Sequence, residues 1–422
     1  MRPDAVTIGV DVGTSGVRAV ALDRHFTAVG KGEAAMGTEA GALRDPALWW
    51  GATETALDAL FRTVDPRRVI AIAVDGTSGT VLAVDDQGKP LAPALLYNDP
   101  VPDVAILDRI AQEAPPLSGA HGPTSGLAKL LVLEATCRPA RILHQADWIA
   151  GRLCGGFDVS DENNALKTGF DPVARTWPDW IERTGADTRL LPAVVPPGSR
   201  LSPITGATAD RFGLPAATLI VSGTTDGCAS FLATGAAEVG EAVTALGSTL
   251  VVKLLCDKPL FAPEYGLYSH RLGETWLAGG ASNTGGAVLA TYFEPARLDE
   301  LSAAIDPTIE TGLDYYPLLK PGERFPVNDP TLEPRVEPRP ESDARFLQGL
   351  LEGMASIEAL AYQRLASVGG PKTVSVRTVG GGAKNRAWTQ IRERRLGMPL
   401  TPAASEDAAL GTARLAWQGI MA

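Results

Sequence analysis

The sequence predicts an α/β fold arranged in two domains. The chain has 422 residues, more than the length over which a single hydrophobic core keeps growing. The continuous apolar run 69–74 is typical of a strand buried on both faces, residues 218–222 are predicted to form another buried strand, and each ends in a glycine-rich polar turn. Turns at the carboxyl ends of strands are the usual ligand position in α/β sheets, so both turns are candidate site elements.

The chain begins with a predicted β-hairpin over residues 6–20, whose turn is Gly13-Thr14-Ser15. Asp11 stands where the first strand ends, and Arg18 lies on the return strand. Glycine lets the backbone bend sharply, while successive N–H groups and two hydroxyls can bind an anion. Taken alone, the turn is equally compatible with an ordinary hairpin, and Arg18 with a solvated charge at a sheet edge.

A second predicted hairpin, residues 241–252, repeats the pattern of strand, turn and strand. Its turn, Gly247-Ser248-Thr249, matches Gly13-Thr14-Ser15 more than two hundred residues earlier. Further predicted strands lead into glycine turns at 279–286 and 380–385. Solenoid repeats recur at intervals of roughly 20–50 residues. The two hairpins are separated by a much longer interval, which indicates a duplicated domain instead. Chance similarity of two hairpins is the alternative, since the match is short.

Capping signals locate the main helices. Asp45 and Pro46 are suited to the cap and first position of one helix, and Ser342 to the cap of a long amphipathic helix. An acidic cap at 405–407 precedes a final helix of small residues. The proline-dense segment 317–340 excludes a helix or a central strand, and predicts an ordered excursion on the second domain.

Composition and residue spacing argue against several classes of function. A net charge of −11 disfavours nucleic-acid and anionic-membrane partners, although local N–H groups can still bind phosphate. The 4 cysteines and 4 histidines lack metal-ligand spacing, and no run is long enough to span a membrane. The N-terminus shows no targeting pattern. We therefore expect a cytoplasmic protein with reduced thiols.

Asp226 is the candidate catalytic base. It follows a predicted strand and the turn beginning at Gly223, and it precedes a predicted small-residue helix over 228–234. A carboxylate there can accept the proton of a substrate hydroxyl, a role worth about 10²–10⁴-fold in rate. The alternative is that Asp226 merely caps that helix.

The glycine turns of the two domains, facing each other across a cleft, would hold a polyphosphate without a P-loop. Neither the P-loop pattern nor a strand–G-x-G-x-x-G–helix unit occurs. Asp11 would orient Mg²⁺ through water, because Mg²⁺ sheds its waters reluctantly. The candidate phosphate donors are Thr14, Ser15, Arg18, Ser248 and Thr249.

Together these motifs resemble the FGGY carbohydrate kinases of the actin-like ATPase superfamily. The resemblance covers nearly the whole chain and is carried by the segments 11–18, 75–79, 223–227, 247–249, 279–286, 322–326 and 380–385. It implies two ribonuclease-H-like domains with an interdomain cleft that closes on ATP and a sugar. Residues 1–233, completed by the C-terminal helix 406–422, would form the sugar-side domain, and residues 234–405 the nucleotide-side domain.

The resemblance also implies roles for individual residues. Asp226 becomes the general base, and Ser78 and Asp11 join it in binding the sugar. Asp11 is also the magnesium residue. The ATP-binding residues implied are Gly13, Thr14, Ser15, Arg18, Gly247, Ser248, Thr249, Gly280, Thr284, Gly381, Gly382 and Asn385. Lys384, beside the glycine triplet, is left unassigned.

Two turns bear on the sugar. Typical bacterial xylulokinases carry Gln-Met-His-Gly where this chain has Asp75-Gly76-Thr77-Ser78-Gly79. Their Trp-x-Asp-x-Arg element is replaced by residues 97–101, which lack the arginine. The turns look more like those of compact bacterial and plant pentulose kinases that prefer D-ribulose. We therefore predict ATP-dependent phosphorylation of D-ribulose at its terminal hydroxyl.

Three alternatives stay open on the sequence. The first is a xylulokinase acting on D-xylulose. The second is a non-catalytic sugar or nucleotide sensor on the same fold, and the third is an ATPase of the superfamily that needs no sugar. The sequence does not decide between a monomer and a homodimer.

Overall fold

The computed structural model describes residues 2–37 and 41–421. Its strands in chain order are β1 (Val6–Val12), β2 (Gly16–Asp23), β3 (Ala28–Ala35), β4 (Val69–Gly76), β5 (Val81–Val84), β6 (Arg141–His144), β7 (Val159–Asp161), β8 (Ala193–Val195), β9 (Arg200–Pro203), β10 (Leu219–Val221), β11 (Glu241–Leu246), β12 (Leu250–Cys256), β13 (Tyr268–Leu272), β14 (Thr275–Ser282), β15 (Ser375–Val379) and β16 (Leu400–Pro402). Its α-helices are α1 (Pro46–Leu60), α2 (Val104–Glu113), α3 (Gly126–Cys137), α4 (Gln145–Cys154), α5 (Glu162–Ala165), α6 (Trp180–Arg183), α7 (Gly206–Phe212), α8 (Asp226–Ala233), α9 (Gly286–Tyr292), α10 (Pro295–Ala303), α11 (Asp343–Ser367), α12 (Arg386–Leu396) and α13 (Ala408–Met421).

The chain divides into two compact units. Unit 1 consists of Met1–Ala233, His270–Gly273 and Asp407–Ala422, and unit 2 of Thr234–Ser269 and Glu274–Glu406. Each unit has its own hydrophobic core around its own sheet. The assignment of one part to the sugar and the other to the nucleotide stays a prediction.

Unit 1 contains a six-stranded sheet in the order β3-β2-β1-β4-β10-β9. β1 pairs antiparallel with β2 and parallel with β4, and β10 also pairs parallel with β4. Every residue of β1 is buried, as expected for a strand covered on both faces. Helix α1 packs on β2 and β3, whereas α13 packs on β1 and β4. The carboxyl ends of β1, β4 and β10 therefore meet at one edge of the sheet.

Unit 2 repeats this arrangement in the order β13-β14-β12-β11-β15-β16. β11 pairs antiparallel with β12 and parallel with β15, just as β1 pairs with β2 and β4. The outer partners correspond too, because β12 pairs antiparallel with β14 and β15 pairs parallel with β16. The two sheets thus share a common core topology, which agrees with the duplication that the repeated hairpin predicts.

The capping predictions hold for two of the helices. The Asp45 side chain accepts a hydrogen bond from the Ala47 N–H at 2.9 Å, with Pro46 in the first helical position. Ser342 caps α11 and accepts from the Arg345 N–H at 3.4 Å. The predicted helix over 228–234 begins earlier, at Asp226, so this residue belongs to the first helical turn rather than preceding it.

The proline-dense segment folds without regular structure, as predicted. Between α10 and α11 the described residues form isolated β-bridges, among them Tyr316 with Arg335 and Glu323 with Asp329. The cysteines are all free thiols. Among the described residues, no helix combines the length and the apolar character needed to cross a membrane.

Candidate active site

Two buried aspartates lie side by side at the carboxyl edge of the sheet in unit 1. Asp11 on β1 and Asp75 on β4 are register partners, 4% and 0% exposed. The Thr412 hydroxyl of α13 donates a hydrogen bond to Asp75 Oδ2. An ionised Asp75 would leave Oδ1 without a donor among the described residues. A proton on Asp75 instead supplies a hydrogen bond to Asp11, and the pair is then satisfied.

The pKa values of the two carboxyl groups are shifted to different extents. Burial raises the pKa of Asp75 well above its usual range, and the charges of Asp11 and Asp226 raise it further. Burial also raises the pKa of Asp11, but the hydrogen bond from Asp75 and the charge of Arg18 oppose that rise. Asp75 is therefore the group that keeps the proton, while Asp11 carries the charge.

Arg18 lies opposite Asp11 in the hairpin. The two are register partners on β2 and β1, and Arg18 Nη1 lies 3.3 Å from Asp11 Oδ2. The Arg18 side chain is 50% exposed, so it is anchored at one end while it remains accessible to a ligand. Thr14 and Ser15 are exposed at the tip of the hairpin, which the Gly13 N–H closes with a hydrogen bond to Gly16 O at 3.0 Å.

A close backbone contact places Asp226 near this pair. Gly223 packs so tightly on β4 that a Cβ atom there would lie 1.7 Å from Val74 O, so the position requires glycine. Thr225 then bridges to Gly76 in parallel. The turn after β10 therefore follows the end of β4 and brings Asp226 toward Asp75. Asp226 is partly exposed and accepts a hydrogen bond from the Gly227 N–H at 2.7 Å.

The turn after β4 is held from beneath by long side chains. Lys129 is fully buried, and its Nζ donates to Gly79 O at 2.7 Å and to Leu96 O at 2.5 Å. Burial, together with the nearby charge of Lys167, lowers the pKa of Lys129 to about 8. Lys167 Nζ donates to Ser78 O at 3.1 Å. The Ser78 hydroxyl is itself buried without a partner among the described residues, which leaves it available to a polar ligand.

The same turn is fixed on its other side by Gln145 of α4. Its Oε1 atom accepts hydrogen bonds from the Thr77 N–H at 3.0 Å and the Thr77 hydroxyl at 2.9 Å. A small cavity of about 170 Å³ adjoins these residues and is also lined by Gly13, Thr14 and Trp49.

The segment 97–101 has no arginine of its own, but its aspartate pairs with an arginine from another part of the chain. Arg44, in the short 3₁₀ segment before α1, makes a bidentate ion pair with Asp99, with N···O distances of 3.0 and 2.6 Å. The Asp99 side chain also accepts from the Leu96 N–H at 2.8 Å. The local motif is therefore incomplete in sequence, whereas an Asp–Arg pair is present in space.

In unit 2 the second hairpin turn and the turn after β14 lie together. Gly247 and Ser248 are exposed, and the Gly247 N–H closes the turn on Thr249 O at 3.1 Å. The Gly286 N–H donates to Gly247 O at 2.8 Å, and the Ala287 N–H to Ser248 O at 3.1 Å. The nearby Thr284 hydroxyl is buried without a partner among the described residues. The structure thus brings Gly247, Ser248 and Thr249 to one exposed edge, with the buried Thr284 in the adjacent turn.

The other predicted nucleotide residues have different settings. Gly280 lies inside β14, where a Cβ atom would meet Phe325 at 2.5 Å, so the structure does not bring it to the exposed turn. Asn385 caps α12 by accepting from the Trp388 N–H, and it donates to the Ser302 hydroxyl at 2.8 Å. Gly381 and Gly382 form the short 3₁₀ turn before α12. A cavity of about 450 Å³ opens beside this turn and is lined in part by Gly380 and Lys384.

The residues around Asp11 fit a magnesium ion that keeps its waters. No three His, Cys, Asp or Glu side chains of residues 2–37 and 41–421 are grouped to hold a metal directly. Burial is the main cause of the raised pKa of Asp11, and the nearby charges of Asp226 and Asp407 add to it, so three carboxyl groups act at this edge. Such a concentration of carboxylate charge suits a hard, hydrated cation.

Several site residues escaped prediction. Asp75 had a visible signal, since Asp75-Gly76-Thr77-Ser78 nearly repeats the aspartate, glycine and hydroxyl pair of the first hairpin. Lys129 and Gln145 gave no signal, because each looks in sequence like an ordinary helical residue. Their roles arise from the packing of α3 and α4 beneath the turn after β4.

Comparison with known proteins identifies the family. The N-terminal domain of the FGGY family of carbohydrate kinases matches residues 6–113, and the C-terminal domain matches residues 242–419. The xylulose kinase of Escherichia coli (strain K12) is 28% identical, over 97% of this chain and 89% of that protein.

Solved structures confirm the predicted fold class. A crystal structure of a xyloylose kinase from Brucella ovis superposes with a TM-score of 0.86 at 24% identity, over 99% of this chain and 90% of that one. The gluconate kinase from Lactobacillus acidophilus gives a TM-score of 0.87 at 20% identity, over 99% and 89%. The chain therefore belongs to the FGGY family of carbohydrate kinases, enzymes that transfer phosphate from ATP to a sugar.

Proposed function

We propose that the chain phosphorylates the terminal hydroxyl of a ketopentose with ATP, and that D-ribulose is its preferred substrate. The proposal is carried by one observation in unit 1. The ends of β1, β4 and β10 bring Asp11, the turn containing Ser78 and Asp226 to one edge of the sheet. A small polyhydroxylated ligand could form hydrogen bonds with all three groups: the charged Asp11, the buried Ser78 hydroxyl and the partly exposed Asp226.

In this proposal Asp226 accepts the proton of the sugar's terminal hydroxyl as its oxygen bonds to the γ-phosphorus of ATP. The bond from that phosphorus to the bridging β–γ oxygen breaks, and ADP leaves with the bond's electron pair. Thr14, Ser15 and Arg18, exposed beside Asp11, would donate hydrogen bonds to the transferred phosphate. The charge that develops on the phosphate is thereby stabilised.

Asp11 would hold Mg²⁺ through water, where the ion would neutralise phosphate charge. Because Asp75 keeps its proton, it adds no negative charge at this edge of the sheet. Asp11 can then bind the hydrated cation without an ionised carboxylate on the neighbouring strand. On the nucleotide side, Gly247, Ser248, Thr249, Thr284, Gly381 and Gly382 would line the ATP site. Gly280 and Asn385 would act by shaping that site, since one packs against Phe325 and the other caps α12.

D-xylulose is the second candidate substrate. It is favoured by the name of the Escherichia coli relative, which is similar over nearly all of this chain. D-ribulose is favoured by the 75–79 turn, which lacks the Gln-Met-His-Gly of typical xylulokinases. The buttressing of that turn by Lys129, Lys167 and Gln145 makes it a defined surface against which one sugar can be distinguished from another.

A ketopentose panel tests the proposal. ADP release would be measured with D-ribulose, D-xylulose, other ketopentoses and polyols, and without sugar. We expect kcat/KM for D-ribulose to exceed that for D-xylulose by at least about tenfold, equivalent to about 1.4 kcal/mol of transition-state binding. A preference for D-xylulose would reassign the substrate. Sugar binding in calorimetry without ADP release would indicate a sensor, and equal ADP release without sugar would indicate a different ATPase.

A further inference from the structure

The proline-dense segment between α10 and α11 contains a buried acid, Glu323, that accepts four hydrogen bonds. Its side chain is only 3% exposed. The catalytic proposal gives Glu323 no role. Its Oε1 accepts from the backbone N–H groups of Asn283 at 2.7 Å and Arg324 at 2.9 Å. Its Oε2 accepts from the hydroxyls of Ser282 at 2.6 Å and Tyr316 at 3.0 Å. Both carboxylate oxygens are therefore fully engaged.

A second set of bonds joins the same two segments. Asn283 Nδ2 donates to Gly322 O at 2.9 Å, and Arg324 Nε donates to Asn283 Oδ1 at 2.7 Å. The Ser282 hydroxyl also accepts from the Thr284 N–H at 3.1 Å. The turn after β14 is thus bound to residues 322–324 through both its backbone and its side chains.

This turn is in direct contact with the second hairpin. The Leu250 N–H donates to Thr284 O at 2.7 Å, and the Gly286 N–H donates to Gly247 O at 2.8 Å. A displacement of residues 282–286 would therefore move Gly247 and Ser248. Glu323 stands at the far end of this chain of hydrogen bonds and does not itself belong to the exposed edge.

We propose that Glu323 is a positioning residue for ATP, which holds the turn 282–286 and, through it, the turn at Gly247 and Ser248. This inference rests on the proposed function, in which those turns line the ATP site. The position favours an acid because a carboxylate offers two acceptor oxygens and no donor, which matches four converging N–H and O–H groups. The excursion that carries Glu323 thereby acquires a role in the reaction.

Alanine and glutamine at this position give different expected results. Glu323→Ala removes both acceptors, and we expect KM for ATP to rise about tenfold or more while KM for the sugar stays within about twofold. Glu323→Gln keeps an oxygen for the two backbone N–H groups, and the Ser282 and Tyr316 hydroxyls can rotate to accept from its amide. We expect Glu323→Gln to restore KM for ATP to within about threefold of wild type.

Glu352 provides a matched control in the same unit. Its carboxylate also accepts several hydrogen bonds, from the Thr311 N–H and hydroxyl and from Arg394, but these partners lie outside both turns. We expect Glu352→Ala to lower the melting temperature without changing KM for ATP. If Glu323→Ala and Glu352→Ala change KM for ATP equally, or if Glu323→Ala raises KM for both substrates alike, Glu323 is merely structural.

Ser282→Ala is a milder variant, which keeps the proposal testable if Glu323→Ala fails to fold. Ser282→Ala removes one hydroxyl that donates to Glu323 and accepts from Thr284, and we expect a rise of about threefold to tenfold in KM for ATP. An unchanged KM for ATP in folded Ser282→Ala would overturn the proposal. Failure of the proposed function would appear differently, as a wild-type protein without sugar-dependent turnover.

Discussion

Replacing Asp226 with asparagine lowers kcat by about 10²–10⁴-fold, with KM for ATP and sugar within about threefold of wild type, if Asp226 is the general base. Asparagine keeps the size and one acceptor oxygen of aspartate, but it cannot take the proton of the sugar hydroxyl. The structure places this carboxylate at the start of α8, partly exposed and beside the Asp11–Asp75 pair. Steady-state kinetics of sugar-dependent ADP release would measure the effect.

A comparison of two substitutions separates catalysis from helix stabilisation. Asparagine keeps a side-chain oxygen that can accept the hydrogen bond of the Gly227 N–H in the first turn of α8, whereas alanine does not. A purely structural Asp226 would therefore give an active Asp226→Asn enzyme and a destabilised Asp226→Ala enzyme. Turnover of Asp226→Asn within about fivefold of wild type would remove Asp226 from the base role.

The second large effect concerns stability. Arg392→Met should lower the free energy of unfolding by about 3–5 kcal/mol, because it leaves the Glu358 carboxylate buried without its cation. Both side chains are 0% exposed, and their bidentate pair has N···O distances of 2.6 and 2.7 Å. Arg392 also donates to the Thr378 hydroxyl on β15, and Glu358 accepts from the Thr244 hydroxyl on β11. Urea unfolding would give the difference.

Two further variants show whether the buried charge is the cause. Arg395→Met on the same helix alters an exposed side chain, and its effect should stay within about 0.5 kcal/mol. The double variant Arg392→Met with Glu358→Leu removes both charges and should recover most of the lost stability. Equal losses in Arg392→Met and Arg395→Met would contradict this explanation.

This ion pair links stability to the candidate site. Thr244 and Thr378 precede the glycine turns at Gly247 and Gly380 on neighbouring parallel strands. The pair therefore secures the base of both turns, although neither charged residue approaches the exposed edge. Burial and the charge of Glu358 also raise the pKa of Tyr362, whose hydroxyl lies 2.8 Å from that of Thr244.

Local patterns were sufficient to predict much of the fold. Asp45 with Pro46 and Ser342 gave helix starts because capping depends on a few neighbouring residues. The hairpins were predictable because a glycine turn between two β-rich runs is a short-range signal. The repeat of that signal predicted two similar sheets, whose strand directions the structure shows in detail.

The candidate site was predictable only where its residues lie on those turns. Lys129, Gln145 and Glu323 reach their turns from segments 41 to 68 positions away in the chain. Arg44 reaches Asp99 across 55 positions. Such contacts depend on tertiary packing, which leaves no mark in local sequence. Asp226 could be proposed because a reactive acid at a strand–turn–helix junction is a local feature.

Phosphoryl transfer from ATP to the terminal hydroxyl of a ketopentose is the central claim, and the reaction product tests it most directly. The protein would be incubated with D-ribulose, ATP and Mg²⁺, with ³¹P NMR and ADP quantification followed together. We expect one sugar monophosphate per ADP, with its phosphorus coupled to the two protons of the terminal carbon. Free phosphate in place of a sugar ester, or a phosphate coupled to a ring or internal carbon proton, would contradict the account.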